Sequence, residues 1–266
     1  MDRKAMAQET LRIIRQGSYA TEKGRIEMKE AVERSVRDSV LISPEEGERI
    51  LAKFSAEAGC GQPETRVENI STVEAVRLLA AEGRTDIGVL NFASAKNPGG
   101  GFLNGAKAQE ESLTVSGTLY PTLTAHPEYY EANRANRSMM YLDYGIYSPE
   151  VVLFRDGAFR LTDTPVRADV LTLPAVNMGQ VLLKGEDAAQ ARRVMRRRMK
   201  LALGIFAEKG AKHLVLGAYG CGVFRNDPRE IAAWWRELME DMGPHFASVL
   251  HAVYDRSFDQ RCIRAF

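Results

Sequence analysis

The chain has 266 residues, 45% hydrophobic and 27% charged, with a formal net charge of +1 at pH 7. That suits one large globular domain, or one domain with an appendage. A near-neutral total excludes a global attraction to polyanions, and no window reaches the roughly 18 apolar residues a membrane helix needs.

The first stretch, residues 2 to 16, places Ala5, Leu11 and Ile14 on one side of an amphipathic helix. A second helix is expected from Lys29 to Val40. A third opens at Ser43-Pro44-Glu45-Glu46, with Ser as N-cap and Pro at the first helical position, and runs to Ala58. Gly59, Gly61 and Pro63 then break the pattern, so residues 1–62 read as an N-terminal helical extension to a domain spanning 63–266. From Thr65 onward strands and helices alternate. Strands are expected at 66–70, 86–93, 144–154, 159–162, 166–173, 213–217 and 248–254. Helices are expected at 71–83, 109–119, 127–137, 186–208 and 228–242. Such alternation predicts a three-layer α/β/α fold with a mixed, largely parallel sheet, whose ligands bind at the carboxyl ends of the strands.

Three cysteines (Cys60, Cys221, Cys262) show no paired spacing and no CxxC, against a disulfide framework or a structural zinc site. The N-terminus carries acids and lacks a long apolar core, unlike a secretory signal. The expectation is a cytoplasmic monomer without a membrane partner.

Two loops stand out. After the apolar run Ile87 to Phe92 comes NPGGGFLNGAKAQEES, with Gly99, Gly100 and Gly101 in sequence and Gln109-Glu110-Glu111 opening a helix. So many residues without a Cβ suit a close approach of ligand or backbone, and two carboxylates are tolerated at a helix start. The second loop, GAYGCGVFRNDP from Gly217 to Pro228, offers glycine-rich backbone amides as a nest suited to a diphosphate. Neither GxxxxGK[ST] nor GxGxxG occurs, so this is no P-loop and no dinucleotide fingerprint. Taken singly, each loop reads equally well as a tight turn.

Taken together, they resemble the bacterial-type poly(ADP-ribose) glycohydrolases, a branch of the macrodomain fold. That family's signature is three glycines, six to eight residues, then Gln-Glu-Glu, and the spacer here is FLNGAKA. The resemblance implies that Glu111 is the catalytic acid and base, that Glu110 orients ribose hydroxyls, and that Asn97 meets the distal ribose. It also places Gly99, Gly100, Gly101 and Gln109 against the substrate. Gly220, Cys221, Gly222 and Val223 would wrap the diphosphate of ADP-ribose, with Phe224 on the terminal ribose. Adjacent helical residues point about 100° apart, so Glu110 and Glu111 do not read as a facing glycosidase pair. Glu111 would need a proton for the first step, which a closed pocket and the neighbouring carboxylate would favour.

The implied activity is hydrolysis of the ribose–ribose bond of poly(ADP-ribose) from the chain end, without metal or cofactor. Removal of single ADP-ribose groups from protein or nucleic acid stays open, as does a non-catalytic ADP-ribose-binding module. The Gln-Glu-Glu element favours an enzyme. Asn91 reads as a structural amide, and Ser71-Thr72 as a helix cap that leaves adenine recognition by Glu68 or Asn69 the weaker reading. The arginines from 192 to 198 read as a solvated helix face, Trp234-Trp235 as core and rim, and the four scattered histidines as structural or exposed.

Overall fold

A computed structural model describes residues 2–56 and 61–266. The chain opens with α1 (Arg3–Gln16), β1 (Ser18–Thr21), β2 (Gly24–Glu27), α2 (Lys29–Arg37), β3 (Val40–Ile42) and α3 (Pro44–Ala56). Next come β4 (Glu64–Glu68), α4 (Thr72–Ala81), β5 (Ile87–Ala93), α5 (Gln109–Ser116), α6 (Leu119–Thr124) and α7 (Pro127–Ala135). The remainder is β6 (Gly145–Arg155), β7 (Leu161–Pro174), α8 (Met178–Leu183), α9 (Ala188–Glu208), β8 (His213–Leu216), α10 (Pro228–Met242) and β9 (Ser248–Ala252).

Seven strands form one mixed sheet in the order β3-β6-β7-β5-β8-β9-β4. The block from β7 through β5, β8 and β9 to β4 is parallel, whereas β6 runs antiparallel to both of its neighbours. Strand β5 lies at the centre, and its alternation distributes side chains to two cores. Leu90 joins the core built with α3, α9 and α10, while Ile87 and Val89 join the core built with α4, α5 and α7. Gly88 faces α9 so closely that a Cβ there would lie 2.7 Å from the Phe206 ring. Helices thus cover both faces, giving the three expected layers. Among the described residues no helix is long and apolar enough to cross a membrane.

The described part of the first 62 residues carries the three expected helices and also three strands. The hairpin of β1 and β2 and the edge strand β3 went unread, because four- and three-residue strands leave too short an alternation to detect. β3 pairs with β6, so this segment supplies an edge of the main sheet. Cys60 and the break expected at Gly59 lie outside the described residues.

Two other differences have local causes. The helix expected over 109–119 stops at Ser116, since Gly117 is extended and bridges to Leu153; a Cβ there would lie 2.5 Å from the Val152 carbonyl. The strands expected at 159–162 and 166–173 are one strand, β7, whose irregular register opposite Leu153 and Arg155 absorbs Pro165 without ending the ladder.

Candidate active site

Strands β5 and β8 are parallel neighbours, so the loops that leave their carboxyl ends emerge on the same edge of the sheet. Contacts tie the loop bases together: the Phe92 and Tyr219 rings are 5.5 Å apart, and Gly217 packs on Phe92.

In the first loop the glycines serve the chain's own carboxylates. Gly99 and Gly100 have φ of 67° and 60°, which L side chains rarely adopt. A Cβ on Gly100 would fall onto Glu111 Oε1 and lie 3.0 Å from Glu110 Oε2. The expected close approach of backbone to a ligand is therefore, at this glycine, an approach to the two acids of α5. Gly101 donates its N–H to Glu111 Oε1 at 2.8 Å. Glu111 Oε2 is buried and has no partner among the described residues. One oxygen is anchored and the other is free to act.

Glu110 is only 3% exposed. Its oxygens accept from Ser94 N–H at 2.7 Å and from the Asn91 amide at 3.2 Å. Burial pushes this carboxyl from 4.5 up to about 8, with the charge of Glu111 adding to the rise and the Ser94 and Asn91 hydrogen bonds opposing it. The acid that the fold most clearly holds protonated is thus Glu110. The folded chain binds this proton more tightly than the unfolded one, so the stabilisation is complete below 4.5 and is lost as pH rises through about 8. Melting temperatures of wild type and Glu110→Gln, compared across that range, should shift against the wild type as pH rises. A difference independent of pH would mean that Glu110 ionises freely in the fold.

Gln109 is tied into the fold by its side chain. Its amide carbonyl accepts from Phe92 N–H, and its amide nitrogen donates to Thr72 Oγ1 and to the Leu90 carbonyl. With both ends of its amide engaged, Gln109 clamps α5 to β5. Asn91 is fully buried on the α5 side of β5, bonding Glu110 and Thr172, and its Oδ1 lacks a partner among the described residues. Asn97 is exposed beside the glycines, its N–H held by Ser94 Oγ. Ser94 was missed, although it fixes Glu110 through its N–H and turns the loop through its hydroxyl; a Ser just past a strand is the only signal it leaves.

The second loop is a turn with open amides. Gly220 takes φ of 72°, and a Cβ there would lie 2.6 Å from Asn226 Nδ2. Asn226, buried, ties the turn by donating to the Val176 and Gly220 carbonyls. Among the described residues, the N–H groups of Gly220, Gly222, Val223 and Phe224 find no protein acceptor. Val223 is 80% exposed, and Phe224 is half-buried with its ring 6.0 Å from Tyr141. Cys221 is buried, and burial pushes its thiol up, which suits packing and not nucleophilic attack. Trp235 donates to the Gly217 carbonyl at 3.0 Å, fixing the start of the loop from the core.

The remaining candidates lie elsewhere. His126 and His213 bond serines, His245 packs on Phe54, and His251 is buried between Trp235 and Phe266. Asn69 exchanges two hydrogen bonds with the Asp255 backbone, and Ser71 forms a capping box with Glu74. On α9, Arg192 and Arg196 pair with Glu230 and Glu237 at the surface. Arg198 does not belong to that solvated face: it is 1% exposed and donates to Asp143 and to the carbonyls of Met140, Tyr141 and Pro174. No group of three or more His, Cys, Asp or Glu among the described residues is placed to hold a metal ion.

A family profile described as "Microbial-type PARG, catalytic domain" matches residues 7–156, the span that holds both acids and the triple glycine. The chain belongs to that family. Its fold is similar to the crystal structure of poly(ADP-ribose) glycohydrolase (PARG) from Thermomonospora curvata, with TM-score 0.94 and 38% identity over 99% of this chain and 97% of that one. The form of that protein bound to the inhibitor ADP-HPD gives TM-score 0.92 and 37% identity over the same shares. The PARG of Deinococcus radiodurans in complex with ADP-ribose gives TM-score 0.84 and 40% identity over 88% of this chain and 95% of that one. A search of curated proteins found no match. The mixed sheet between helical layers is thus the macrodomain-like fold of the PARG family.

Proposed function

We propose that this protein hydrolyses the ribose–ribose O-glycosidic bond of poly(ADP-ribose) from the chain end, releasing ADP-ribose. The observation that carries the reading is the Glu111 carboxyl, with Oε1 fixed by Gly101 N–H and Oε2 buried without a partner. Membership of the PARG family, and relatives crystallised with ADP-ribose or ADP-HPD, supply the substrate class.

In this mechanism Glu111 gives its proton to the departing ribose oxygen as the anomeric C–O bond breaks. The cation left on the anomeric carbon is stabilised by the substrate's own diphosphate, which the open amides of 220–224 cradle. Water then attacks that carbon, and Glu111 takes the proton back. Each step balances with the substrate, water and Glu111 alone. Glu110, beneath the loop, orients the distal ribose hydroxyls together with Asn97. The reading extends to a metal-independent cytoplasmic monomer acting on polymer attached to modified protein, with ADP-ribosylated nucleic acid as a further substrate class.

The cradle is tested by Gly220→Val. A side chain there meets Asn226 and Ala175 in a backbone conformation that β-branched residues avoid, so the turn must reorganise. ADP-ribose affinity measured by calorimetry should fall at least about 100-fold, the loss of two or more charge-assisted hydrogen bonds. Unchanged affinity would remove the diphosphate from this loop.

A further inference from the structure

Beside the second loop lies a groove of about 790 Å³, lined by Gly222, residues at the start of α10 and the C-terminal segment. Four guanidinium groups, those of Arg225, Arg229, Arg261 and Arg264, line it against the carboxylates of Asp227 and Asp259. The lining therefore carries a net charge of two, in a protein whose total is +1. Unlike Arg192, Arg196, Arg197 and Arg198 on α9, which all pair with carboxylates, none of these four arginines forms an ion pair among the described residues. Asp227 is engaged in capping α10, where it accepts from Arg229 N–H at 2.9 Å. The segment that brings Arg261 and Arg264 here is held in place: Asp255 accepts from the N–H groups of Ser257, Cys262 and Ile263. Uncompensated guanidinium groups on a fixed frame are suited to phosphate oxygens, which they can engage bidentately.

We propose that this groove is a second anion subsite, holding a diphosphate of the same polymer outside the catalytic pocket. The proposal rests on the glycohydrolase reading, because the groove shares Gly222 with the loop assigned to the first diphosphate. A polymer with one diphosphate per unit presents a second such group next to the one being processed, whereas free ADP-ribose does not.

The test uses the full chain with Arg229→Gln, Arg261→Gln and Arg264→Gln combined, in both the wild-type and the Glu111→Gln background. Binding of long poly(ADP-ribose) to the Glu111→Gln protein should weaken roughly tenfold on neutralising the groove, with a shallower salt dependence, while affinity for ADP-ribose stays the same. In the active background the KM for long polymer, and for a two-unit chain, which already carries the second diphosphate, should rise by a similar factor. An equal loss on ADP-ribose and polymer would show a general structural defect and overturn the proposal, as would unchanged polymer affinity. Single-stranded RNA or DNA competing as strongly as polymer, with the same loss in the variant, would reassign the groove to nucleic acid. If the wild type cleaves no polymer, the glycohydrolase reading fails on its own, and the binding arm still reports on the groove.

Discussion

Glu111→Gln should slow ADP-ribose release from poly(ADP-ribose) roughly a thousandfold, within the range expected when a general acid and base is removed. The substitution is chosen for what it preserves. The amide oxygen of Gln can still accept from Gly101 N–H, which wild-type Oε1 does at 2.8 Å, so the loop keeps its anchor. What disappears is the capacity of the second, unpartnered oxygen to give and take a proton. Affinity for ADP-ribose should therefore change little while turnover collapses. Residual activity within about tenfold of wild type would assign proton transfer to another group and leave Glu111 a positioning role.

The second large effect belongs to a residue with no side chain. Gly100→Ala should lower kcat/KM about 100-fold and cost about 1 kcal/mol or more of stability. At φ of 60° an L residue is strained before any contact is considered. The added methyl also has no room, because it lies within 3.0 Å of Glu110 Oε2 and closer still to Glu111 Oε1. Either the loop lifts, breaking the Gly101 anchor, or Glu111 swings away from its working position. Paired measurements of turnover and thermal unfolding check both parts; a variant with wild-type turnover would mean that the loop relaxes without disturbing the acids.

The architecture was legible because its signals are long. β5 is a continuous apolar run buried on both sides, and α9 and α10 carry sustained 3.6-residue periodicity. Both acids and both glycine loops were likewise visible, since glycine clusters and adjacent carboxylates are rare enough to notice. What the glycines are for was not. The near neighbour of Gly100 is a pair of side chains ten and eleven positions ahead, a contact that exists only once α5 folds back against the loop. Gln109 illustrates the same limit: its amide reads as a ligand contact in sequence, yet two strand groups and Thr72 take it up. The raised acid is also a tertiary effect, because depth beneath the loop, more than the charge of the neighbouring Glu111, decides that Glu110 resists ionisation. Arg198 could not be told from its exposed neighbours by spacing alone, as its partners are three carbonyls from two separate segments.

Helix α5, which carries Glu110 and Glu111, is also held from behind. At its far end the Val115 carbonyl accepts from Thr10 Oγ1 and from Arg155 Nε, and Arg155 in turn engages Glu9. Residues near the very beginning of the chain thereby help fix the axis on which the two acids ride. Evolutionary drift at those positions would be filtered by the chemistry a hundred residues away, so the opening helix should be inherited together with the catalytic motif and not exchanged as an independent module.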